Sequence, residues 1–114
     1  MFKGKKSELW VRTAADLLLD NGKTEDFRFS VLVKLVPFSE WKEWLDRMAE
    51  GEAVEEELIS TFLLNWRLKG DDGDAIEFTA ENVAASMELV PYRRGIVKAI
   101  MDANSHRKDS LGKR

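Results

Sequence analysis

A chain of 114 residues, 44% hydrophobic and 34% charged, is one domain's worth of polypeptide with enough apolar side chains for a core, and none of its apolar runs nears the ~20 residues of a membrane span. It has no cysteine and a single histidine, His106, in a polar stretch, which excludes disulfides and thiolate catalysis and leaves little for a zinc site or a hydrolytic triad. The formal charge is −3, but three lysines in residues 1–6 and a net +3 over residues 104–114 leave −9 on residues 7–103; an acidic body between basic ends is the reverse of a nucleic-acid binder's footprint.

Lys3, Lys5 and Lys6 run into Ser7-Glu8 rather than an apolar stretch, so no signal peptide is expected. Thr13, followed by Ala-Ala-Asp and Leu17-Leu18-Leu19, predicts a short helix capped by Thr13 and stopped at Asn21-Gly22. Residues 27–36 alternate instead: Phe27, Phe29, Val31, Val33 and Leu35 interleave with Arg28, Ser30, Leu32, Lys34 and Val36, which predicts a strand closed by Pro37. Ser39 offers a cap for a helix bearing Trp41, Trp44, Leu45 and Met48 on one face, ended by Gly51. A longer helix is expected over residues 53–68, with a stripe of Val54, Leu58, Ile59, Phe62, Leu63 and Trp66 and three glutamates in its first turns.

The run Gly70-Asp71-Asp72-Gly73-Asp74 is a turn. It fails as a calcium loop, because placing Gly73 sixth puts Leu68 first and Thr79 where a bidentate glutamate belongs. Ile76-Glu77-Phe78 is a brief extended piece. Thr79 caps the next helix, with Phe78 and Val83 at the spacing of a hydrophobic staple. Pro91 opens the last helix, whose inner face is Ile96, Val97, Ile100 and Ala103. From residue 105 onward nothing is patterned, and a disordered basic tail is expected.

Little here suggests catalysis. Eight acids between Glu40 and Glu57 face only Lys42 and Arg47, but no pattern buries two of them together, so they read as solvated faces or as an acidic docking surface. There is no phosphate loop and no nucleophile beside a base. The chain therefore reads as a non-enzyme without metal or cofactor. Trp10, Trp41, Trp44 and Trp66 read first as core. Trp41 and Trp44 share a short helix with few other large residues, so they are also candidate anchors for a subunit or partner. Phe29 and Val31 join them as candidates because a lone strand needs partners for its backbone, either the piece near Ile76 or a second subunit.

The order of these features, from the strand Phe27-Arg-Phe-Ser-Val-Leu-Val-Lys-Leu through an acidic helical pair, a helix ending on Trp66, an Asp/Gly turn, the phrase Phe78-Thr79-Ala80-Glu81-Asn82, a helix, a proline and a final helix, resembles the tail assembly chaperones of long-tailed bacteriophages. The resemblance covers about two-thirds of the chain, residues 27–103. It departs at Arg67 and Leu68, where a glycine is expected close behind the tryptophan. It implies a non-catalytic holdase for the tape measure protein, the long helical chain that sets tail length, which also helps recruit the tail tube protein. It implies self-association into a homo-oligomer, a location in the host cytoplasm and absence from the mature virion. It implies as well a longer form of the same protein made by programmed ribosomal frameshifting. The end of the chain, Leu111-Gly112-Lys113-Arg114, bears on the last point: the codons of Gly112 and Lys113 can carry a slippery G-GGA-AAG run, or they encode only a common dipeptide.

The sequence thus predicts a mainly α fold of four to five helices, with one strand near 27–35 and room for a short second strand near 76–78. Residues 1–104 form a single helical domain and 105–114 a tail. Neither nucleic acid nor membrane is an expected partner. The alternative functions are a structural virion protein such as a head–tail connector subunit, and a small acidic regulator or nucleic-acid mimic.

Overall fold

In the computed structural model, residues 7–52 and 54–105 are described. The chain begins with an antiparallel hairpin of two long strands, β1 (Glu8–Leu18) and β2 (Thr24–Lys34), in register from Glu8 opposite Lys34 to Leu18 opposite Thr24. The helix predicted from Thr13 is therefore not formed; Thr13 lies in mid-strand opposite Phe29. Its Ala and Leu residues favour a helix locally, but Leu9, Val11, Thr13, Ala15 and Leu17 also alternate, and that face packs inward when paired with β2. Asn21-Gly22 is the hairpin's turn, not a helix stop. Leu19 N–H donates to the Lys23 carbonyl (2.7 Å), Gly22 N–H to the Leu19 carbonyl (3.0 Å), and Gly22 takes φ +82°, the left-handed residue of a three-residue hairpin loop.

A third strand, β3 (Leu63–Arg67), pairs antiparallel with the other side of β2, giving the order β1-β2-β3. The strand expected over 27–35 is thus the centre of a sheet, with both neighbours from its own chain. No strand forms at 76–78; a single bridge, Lys69 to Ala75, closes the Gly70–Asp74 turn. The expectation of a mainly α fold is overturned accordingly. Among the described residues this is a mixed architecture, a three-stranded antiparallel sheet with four helices.

The helix expected over 53–68, whose first residue lies outside the described ones, is only α2 (Glu55–Phe62), and the chain then turns extended into β3. The register slips between Leu32 and Val33, leaving Leu64 as a bulge. With one residue looped out, Leu63 and Trp66 both face inward, three positions apart. That spacing imitates one face of a helix, so the stripe foretold burial correctly and structure wrongly.

The helices cover one face of the sheet. The first, α1 (Phe38–Ala49), starts from Pro37 rather than from a Ser39 cap and ends before Gly51. Trp41 and Trp44 both lie edge-on to Phe62 of α2, at 5.6 and 5.5 Å. Between the two helices, the Arg47 guanidinium donates to Glu57 (2.7 and 3.2 Å) and to Glu52 (2.7 Å), and its hydrogen bonds hold the Glu57 carboxyl below its usual range. Two further helices, α3 (Ala80–Met87) and α4 (Val90–Ser105), complete the fold, with Pro91 in the first turn of α4 as expected. α4 lies against β1: Thr13 Oγ1 donates to the Gly95 carbonyl (2.8 Å), and a Cβ at Gly95 would run into the Ala14 carbonyl oxygen. At its end, Asn104 accepts from Val36 N–H (3.1 Å) and donates to the Lys34 carbonyl (3.1 Å). Ser105, assigned to the tail by the sequence pattern, is the last residue of α4 and accepts from Trp41 Nε1 (2.8 Å). The rest of the expected tail lies outside the described residues.

Candidate functional site

β3 delivers Trp66 to a junction that the later chain closes. Its indole Nε1 donates to the Ile76 carbonyl (2.8 Å), and the Phe78 ring stands edge-on to it at 5.3 Å. Thr79 follows in extended conformation and caps α3 as predicted, its Oγ1 accepting from Asn82 N–H (3.1 Å), while Asn82 Nδ2 donates back to the Glu77 carbonyl (2.9 Å). Trp66 and the phrase from Phe78 to Asn82 are therefore one unit, although Trp66 sits in a strand and not at a helix end. Losing the cap has an ordinary cost: Thr79→Ala is expected to destabilise the protein by about 1 kcal/mol, read as a lower denaturant midpoint at unchanged slope.

Beside this junction is a mainly apolar groove of about 410 Å³. β3 ends at Arg67, paired with Ser30, so residues 24–29 of β2 run on without a strand on that side, and the groove opens beyond. Trp66, Leu68 and Ile76 form one wall, and Asn82, Ala85 and Ser86, on one face of α3, form the other. Leu17 of the hairpin and Leu89, just past α3, contribute at the ends. Tyr92 also lines the groove, its ring packed against Phe29 (5.7 Å) and Phe27 (6.2 Å). Burial, and then the charge of Asp71, push the Tyr92 hydroxyl pKa up. Leu89 is 53% exposed. Residues 69–92 carry six acids and, before Tyr92, one base, Lys69.

The four side chains singled out for self-association are placed elsewhere. Phe29, Val31, Trp41 and Trp44 are all buried in the core of the single chain. The rings of Trp41 and Trp44 thus take the core role that the sequence left open beside the anchoring one. Gly112 and Lys113 lie outside the described residues. The sequence pattern does not reveal the groove, because the local pattern around Leu17 favours a helix. Reading Asn21-Gly22 as a hairpin turn is the signal that brings Leu17 to the inner face.

Among the described residues no three acidic or histidine side chains gather as a metal site, and no helix is long and apolar enough to cross a membrane. Two carboxylates do meet, Asp16 and Asp26, directly opposite on β1 and β2, but both are exposed. A hydrogen bond with Asp26 and repulsion by its charge raise the Asp16 pKa. The folded protein then takes up a proton more readily than the unfolded chain, so this pair weakens the fold at neutral pH and ceases to do so as pH falls below the ordinary carboxylate range. Asp26→Asn is expected to raise the denaturant midpoint at pH 7, with the gain shrinking toward pH ~4. A pH-independent gain would point to a cause other than the pair.

No protein-family model, no curated protein and no solved structure matches the chain.

Proposed function

We propose that this protein is a tail assembly chaperone of a long-tailed phage: a non-catalytic binding protein that keeps the tape measure protein soluble and brings it to the tail tube protein. The observation that carries the reading is the run from Trp66 to Asn82. The tryptophan, the Asp/Gly turn and the Phe-Thr-x-Glu-Asn phrase carry the resemblance in sequence, and the side chains of Trp66, Phe78, Thr79 and Asn82 bond or pack within this run. The acidic body, net −9 over residues 7–103, supports the same reading by giving a client-bearing assembly a soluble outer surface. A chain of this size covers a long client only as several copies, so the chaperone acts as a homo-oligomer in the host cytoplasm, together with a longer frameshifted form, and leaves before the virion is complete.

The test is co-expression of the full chain with the tape measure protein of the same phage. The expected result is a soluble client that co-purifies with this protein, and virions that lack it. A client that stays insoluble and uncaptured, or stoichiometric amounts of this protein in purified virions, would overturn the reading, the latter in favour of a connector.

A further inference from the structure

We propose that the groove between Trp66 and α3 receives an amphipathic helix whose apolar stripe is flanked by lysines or arginines; as the client surface of the chaperone, the inference rests on the reading above. The wall formed by α3 presents Asn82, Ala85 and Ser86 at i, i+3 and i+4, and two small residues at its centre let a second helix approach closely. On the opposite wall, the backbone groups of Ile76 and the Leu68 carbonyl are not free for an added strand. Ile76 N–H donates to the Leu68 carbonyl (2.8 Å), and the Ile76 carbonyl already accepts from Trp66 Nε1. A strand gains its affinity from such groups, whereas a helix needs only the apolar lining.

Charge selects the partner. Asp71 lines the groove, and Lys69 is the one base on its lining. Glu81 and Glu88 are seven positions apart, so both fall on one flank of the α3 face. Among the described residues, none of Asp71, Glu81 and Glu88 has an ion-pair partner, whereas the acids of the α1–α2 region include Asp46, Glu52, Glu55 and Glu57 in ion pairs with Lys42, Arg47 or Arg93. With Asp71, Glu81 and Glu88 against the single base Lys69, the surround of the groove is net acidic, which complements a basic-flanked stripe and repels an acidic one. A second copy of this acidic body fits the groove poorly for the same reason.

The probe is a synthetic leucine/alanine peptide of about 18 residues, five helical turns, with lysines beside its apolar stripe, titrated against the full-length protein by fluorescence anisotropy. The lysine peptide is expected to bind, and a glutamate-for-lysine version to bind at least roughly tenfold more weakly. Leu89→Gln, a change at an exposed position that keeps the fold by circular dichroism, is expected to weaken binding roughly fivefold or more. Asp71→Asn combined with Glu81→Gln and Glu88→Gln is expected to weaken it and to flatten its salt dependence. Equal binding of both peptides, or binding unchanged by both sets of substitutions, would overturn the proposal. So would self-association that Leu89→Gln abolishes while peptide binding persists, which would assign the groove to a second copy. Co-expression separates this from the function itself. If the unmodified protein holds the tape measure protein soluble but binds both peptides equally or neither, the groove assignment falls and the chaperone reading stands. If the unmodified protein holds none, the chaperone reading falls whatever the peptides do.

Discussion

Phe62→Ala is expected to cost about 3–5 kcal/mol, the usual loss for a buried aromatic. Phe62 is fully buried, at 0% exposure, and both tryptophans of α1 rest edge-on to its ring. Truncation removes the ring's own burial and leaves Trp41 and Trp44 facing a void that neither can fill without moving α1. Against a total stability of about 5–15 kcal/mol, the change should lower the melting temperature by more than ~10 °C. Phe78 supplies the internal standard, since its ring is 36% exposed and stands edge-on to Trp66 at the surface end of the junction. Equal denaturant midpoints for Phe62→Ala and Phe78→Ala would show that α1 and α2 do not pack through Phe62.

Gly95→Ala separates two physical effects by sign. Glycine inside a helix is worse than alanine by about 1 kcal/mol, so helix propensity alone makes the substitution stabilising. The position is not a free helix surface, however. An added Cβ meets the Ala14 carbonyl oxygen, a backbone atom of β1 that cannot swing aside. α4 must then lift from β1, loosening the bond from Thr13 Oγ1 to the Gly95 carbonyl and the packing of Ile96, Ala99 and Ile100. Overpacking of this kind costs about 1–3 kcal/mol, so the net expectation is a clear loss of stability. An increase in the denaturant midpoint would mean that α4 and β1 stand further apart than described.

Burial was more legible in the sequence than secondary structure. Val54, Leu58, Ile59, Phe62, Leu63 and Trp66 were read as one inward stripe, and all six are buried. The bulge at Leu64 puts Leu63 and Trp66 on one face at a helical interval, so periodicity alone cannot separate the two structures. β1 was lost for a different reason. Its second half, Thr-Ala-Ala-Asp-Leu-Leu, carries helix-favouring residues, and only pairing with β2, a non-local event, decides against the helix. The Thr79 cap and Pro91 at the start of α4 form as expected, whereas the caps expected at Thr13 and Ser39 do not, because Thr13 pairs in a strand and α1 starts at Pro37. The groove depends on Leu17 meeting residues from 66 to 92, which no local pattern encodes.

The contact between Gly95 and β1 also orders events in time. β1 is an edge strand, and the groups on its outer side are shielded in the middle by a helix that begins at Val90. A ribosome adding ~5–20 residues per second completes the hairpin first and delivers that helix seconds later. Until then the nascent protein exposes an eleven-residue strand edge, open to any neighbouring nascent chain on the same message. Closing this edge early, with a charged residue or a proline on its outer side, should reduce aggregation during synthesis without requiring any change in the finished fold.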